Sequence, residues 1–193
     1  MSDVEADAMD VDEWWGHIER ARVAAGERAD DRDSPDDPLV DILVDLLVAL
    51  PPDQIIAFER RFSEVWRSAH QWRLWAAAYL IEGGCGDDGF MDFRAGLILL
   101  GRTTFTRAVD DPDSLADLPV VIRMADGDGG WIGCEDMNHA AHTAYERVQG
   151  ETDSYDAAMS TPGWPDRAAG ERWDLEDDDE MRRRLPRLAE LFL

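Results

Sequence analysis

One thiol, two carboxylates and four glycines fall together in Gly83-Gly84-Cys85-Gly86-Asp87-Asp88-Gly89. A cysteine offers a nucleophile, adjacent carboxylates offer ligands for a hard cation or a proton relay, and glycine permits close backbone approach. Cys85, Asp87 and Asp88 are therefore the candidate catalytic groups, and Asp87 and Asp88 also candidate metal ligands. The same elbow has a plainer use. Gly83 or Gly84 would end one helix in a left-handed conformation, Cys85 would pack as a small hydrophobe, and Asp87 or Asp88 would cap the next helix. A catalytic thiol also needs a base, and none of His17, His70, His139 or His142 stands at a recognised spacing from Cys85. Architecture is the expected role.

His139 and His142 stand three residues apart on a predicted helix, with Glu135 one turn upstream, a geometry able to clasp zinc. The chain has no His-Glu-x-x-His and no nameable third ligand, so a solvent-facing polar stripe is expected. Asp126-Gly127-Asp128-Gly129-Gly130 resembles a calcium loop superficially, but Met137 stands at the twelfth position, where an acid is needed. No phosphate-cradling or dinucleotide glycine pattern occurs, and no cofactor is expected. Arg94 and Arg102 fall two turns apart on a segment otherwise given to the core. They are expected either to pair with Asp87, Asp88 or Asp92 and fix the elbow, or to bind an anion. Trp131 and Trp164, in loops, are the candidates for anchoring a partner.

The field around these groups is strongly negative, with a formal charge of −24 over 193 residues. Residues 1–37 carry thirteen acids against four arginines, and 151–180 eleven against two. Such a surface repels phosphate backbones and anionic lipid, so nucleic-acid and membrane-surface binding are poor readings, whereas a basic protein partner is compatible. All nineteen basic residues are arginine, which reads as the codon bias of a GC-rich genome. Two cysteines cannot build a disulfide framework, and the N-terminus lacks the basic-then-apolar order of a signal peptide. The longest apolar run, Leu74 to Ile81, is too short to span a bilayer. A soluble, cytoplasmic, thiol-reduced chain is the expectation.

The elements that must position the candidates read as helices. Residues 1–9 form an acidic flexible tail, and residues 10–193 a single domain. Val11, Trp14, Trp15, Ile18 and Val23 recur at helical spacing behind an Asp10 or Asp12 cap. Pro38 opens a second helix, Pro51 to about Ser68 a third, and the apolar segment through Trp72, Trp75, Tyr79 and Ile81 a fourth, central one. Phe90, Phe93, Leu97 and Ile98 carry a fifth toward Gly101, followed by a short helix through Phe105 and Val109. Leu118 to Met124 alone has β character. Glu135 to Val148 reads as helix, 150–174 as turn-rich, and a last helix runs from about Glu176 to the residue before Pro186. The class is mostly α: a bundle-like array of about seven to eight helices, with at most a minor strand near 118–124.

Taken together, LWAAAYLIEGGCGDDGFMDFRAGLILLGRTTF at 74–105, DPDSLAD at 111–117, the opening Trp14-Trp15-Gly16-His17-Ile18-Glu19 and the closing RWDLEDDDEMRRRLPRLAELF resemble the bacterial domain-of-unknown-function family 4240. The resemblance covers nearly the whole chain. It implies a single domain and transfers no catalytic residue. The residues favour a protein-binding or regulatory, immunity-like module. Two alternatives stand beside it: a metal- or thiol-dependent hydrolase or transferase using the elbow, and a small-molecule sensor with its pocket between the central helix and the elbow. The oligomeric state has no signature in these residues.

Overall fold

The computed structural model describes residues 9–32, 38–159 and 167–193, and every described element is helical. The Asp10 carboxylate accepts the backbone N–H groups of Asp12 and Glu13 at 2.8 and 3.3 Å and so starts α1 (Val11–Ala25). Met9 is already buried, and its carbonyl accepts from Arg61 Nε at 2.8 Å, so the acidic tail ends before it; residues 1–8 lie outside the described residues. Then come α2 (Leu39–Val48), α3 (Pro52–Ser68), α4 (Trp72–Ile81) and α5 (Asp87–Leu99). Their apolar positions converge on one core, in which Trp14, Leu43, Leu47, Phe58, Leu74, Phe93 and Leu97 are fully enclosed. The remaining α-helices are α6 (Arg102–Asp110), α7 (Pro119–Asp126), α8 (Ala140–Gln149), α9 (Asp153–Met159), α10 (Asp178–Arg184) and α11 (Pro186–Phe192).

The expectation of a mostly α chain holds, with eleven α-helices and three short 3₁₀ helices among the described residues. The increase over seven or eight has local causes. The strand-like 118–124 stretch is α7: Pro119 presets the first turn, and Val120 and Val121 turn inward while Ile122 stays exposed. Weak β propensity yields to that burial. The helix expected over 135–148 begins as a 3₁₀ turn (Asp136–His139) before α8. α9 lies in the segment read as turn-rich. α11 continues past Pro186 because buried Asp113, far away in sequence, accepts the free N–H groups of Arg187 and Leu188 at 3.1 and 3.0 Å. No helix among the described residues is long and apolar enough to cross a membrane.

The loop after α7 returns across α5. Trp131 N donates to Arg32 O at 2.7 Å, Arg32 Nη2 to Ile132 O at 2.9 Å, and Cys134 N to Asp92 O at 2.9 Å. α4 and α5, joined by the glycine elbow, thus stand between the returning loop on one side and the end of α3 on the other.

Candidate functional site

Side chains of α5 at Asp87, Phe90, Met91 and Arg94 recur at helical spacing and share one face. Trp66 at the end of α3, His70 in the following turn and Trp75 on α4 meet that face, and the seven residues line a cleft of 260 Å³. Hydrogen bonds to carbonyls fix the walls: Trp66 Nε1 donates to Met91 O at 3.1 Å, and Trp75 Nε1 to Cys85 O at 2.9 Å. The rings of Trp75 and Phe90 stack at 4.8 Å, 13° from parallel. Gly83 and Gly84, at φ 66° and 121°, supply the left-handed turn that lets α4 and α5 close on one another.

Arg94 forms the base of this cleft. Its residue is only 3% exposed, and its guanidinium carbon lies 3.4 Å from the Trp66 ring centre and 4.7 Å from that of Phe90. Nε donates to Phe90 O at 3.1 Å and Nη1 to Trp66 O at 3.4 Å; Nη2 donates to nothing among the described residues. No carboxylate among the described residues pairs with Arg94. Burial lowers its pKa to about 10, still well above neutrality, so an uncompensated cation sits at the bottom of an aromatic cleft. Burial and the neighbouring guanidinium push His70 below the usual histidine range, opposed by Asp87 at the rim.

The expected pairing of Arg94 and Arg102 with the elbow acids is not what forms. α5 stops at Leu99, and Arg102 opens α6, where it bonds Asp12 of α1 at 2.5 Å. Asp87 and Asp88 are exposed in the first turn of α5, whose N-cap is Gly86 without any side-chain cap. They favour the helix dipole but do not cap. Half-buried Cys85 shares a hydrogen bond with Glu82. Burial first, then Glu82, push its thiol up to about 12. Glu82 is itself pushed up to about 7 by burial, and Asp92, which accepts from Asn138 Nδ2 at 3.0 Å, is raised by burial and then by Glu135 and Asp88. Beside the elbow, burial thus disfavours the charged forms of Glu82, Asp92 and Cys85 alike.

His139 ends the 3₁₀ turn and is exposed, whereas His142, on α8, lies edge-on to Tyr155 at 5.3 Å. No group of three or more His, Cys, Asp or Glu among the described residues is placed to hold a metal ion. Trp131 is 44% exposed. Trp164 lies outside the described residues. The sequence placed Trp75 and Phe90 among the apolar positions of their helices and singled out neither Trp66 nor His70 as a site residue. The signal that could have found Phe90 is the arginine at position 94, one turn away among the apolar residues of the same helix.

A model of the family described as "Protein of unknown function (DUF4240)" matches residues 9–147, a span that contains every residue of the cleft. No curated protein and no solved structure matches the chain.

Proposed function

The chain belongs to the DUF4240 family, and we propose that this member is a regulatory binding module whose small-molecule site is the Arg94 cleft. The observation that carries this reading is the buried, carboxylate-free guanidinium at the base of a 260 Å³ aromatic opening. Placing a charge out of water without a counter-charge is costly, so such a group is kept where an incoming ligand completes it. The elbow supports binding over chemistry. Its thiol is held protonated, and its exposed acids, Asp87 and Asp88, do not face Cys85 as partners. Cys85 and Cys134, neither of them in a disulfide, are compatible with a reducing cytoplasm.

Thermal denaturation against a panel of small organic acids, amines and neutral aromatics tests the proposal. A ligand at a hundred times its Kd stabilises by about 2.7 kcal/mol. At least one compound is expected to raise the midpoint of the native chain and not that of Arg94→Met. A panel without any such compound would remove the reading.

A second reading, docking of another protein with a basic face, is favoured by exposed Trp131 and the charge of −24. It requires a partner whose capture weakens with salt and is lost in Trp131→Ala; capture indifferent to both changes speaks against it.

A further inference from the structure

We propose that the cleft selects an aromatic monocarboxylate; this rests on reading the cleft as a ligand site and narrows it to one chemical class. A guanidinium has five N–H groups in a planar fork. In Arg94 one goes to Phe90 O and one to Trp66 O, which leaves the Nη2 edge for an incoming acceptor. A carboxylate matches that planar fork and supplies the counter-charge that the described residues do not.

The walls choose the body of the ligand. Trp66, Trp75, Phe90 and Met91 line it with aromatic rings and a thioether, and Met91 is 41% exposed. A flat aromatic ring gains most from such a lining, by offset or edge contacts and by sulfur contact. A dry cavity of about 150 Å³ admits benzene. The 260 Å³ here therefore suits a two-ring body with a short acid arm.

Charge sets the number of acid groups. Asp87 stands at the rim and the chain carries −24, so each negative charge beyond the one that Arg94 neutralises is repelled. Phosphate and polyanions are disfavoured on that ground. An amine meets the guanidinium, and a neutral aromatic leaves it uncompensated.

Calorimetric titration of the full chain at pH 7 with indole-3-acetate, indole-3-acetamide and inorganic phosphate separates the outcomes. The acid is expected to bind at least tenfold tighter than the amide, phosphate weakest, with the acid's affinity falling at least tenfold in Arg94→Met. Should that variant fail to fold, Asp87→Asn alters only an exposed group, and it is expected to tighten acid binding about threefold. Unchanged or weaker binding there would overturn the proposal. The amide binding as well as the acid, or phosphate binding better, would overturn the ligand class while leaving the cleft a site. Absence of heat with all three probes would remove the site reading itself.

Discussion

The carbonyl oxygen of Ile132 occupies the place beside Gly96 that a side chain would need: a β-carbon built there would stand 1.7 Å from it. Ile132 cannot easily retreat, because Arg32 Nη2 holds that same oxygen at 2.9 Å and Cys134 N is tied to Asp92 O on the next turn of α5. Gly96→Ala is therefore expected to cost about 3 kcal/mol, the upper range of overpacking, although alanine favours a helix over glycine by about 1 kcal/mol. Chemical denaturation measures it; a loss below about 1 kcal/mol would show that the 130–134 loop yields.

Arg94→Met exchanges a buried cation for an unbranched apolar side chain of similar reach between Trp66 and Phe90. The cation–π contacts and two hydrogen bonds are lost, but so is the desolvation of an unpaired charge. Stability is expected to stay level or rise by about 1 kcal/mol while ligand binding disappears. A fall of several kcal/mol would show instead that Arg94 is a structural strut.

Cys85 is expected to resist alkylation. A thiol pushed from 9.0 to about 12 holds about a thousandfold less thiolate at neutral pH. Glu82→Gln removes the largest charge behind that shift, so iodoacetamide labelling of Cys85, followed by mass spectrometry, should accelerate in this variant. Equal rates would mean that burial alone protects the thiol.

His17 lies buried edge-on to Phe58, its Nδ1 without a hydrogen-bond partner, and burial followed by Arg20 lowers its pKa from 6.5 to about 4. The unfolded chain thus takes up the proton first. His17 supports folding in full above pH 6.5, and about 3 kcal/mol is lost as pH falls from 6.5 to 4. His17→Met should flatten that limb of a pH series of urea midpoints.

Glu59 has the opposite sign. Burial pushes it from 4.5 to about 8, against a hydrogen bond with Tyr155 of α9, so the folded chain keeps a proton that the unfolded chain releases. Stability from this group is complete below pH 4.5 and declines as pH rises toward 8; Glu82 adds a decline of the same sign up to about 7. Glu59→Gln should abolish most of the alkaline decline, and an unchanged profile would exclude Glu59 as its source.

The elements that carry the cleft were legible because their signals are local. The proline before α3, the apolar run of α4 and the paired glycines at 83 and 84 each act within one or two turns. Expectations went astray where a distant group decided. α7 is helical because burial of Val120 and Val121 overrides β-branched preference, and α11 exists because Asp113 caps it across more than seventy residues.

The sequence by itself determined a mostly helical, strongly acidic chain with a glycine turn between its two most apolar helices. Only the tertiary structure decided that Arg94 stacks on Trp66 and forms no pair with the elbow acids, and that Gly96 is a contact surface for Ile132. Periodicity tells which face of a helix turns inward. It does not tell which neighbour that face meets, because such contacts join residues whose separation along the chain leaves no trace in local spacing.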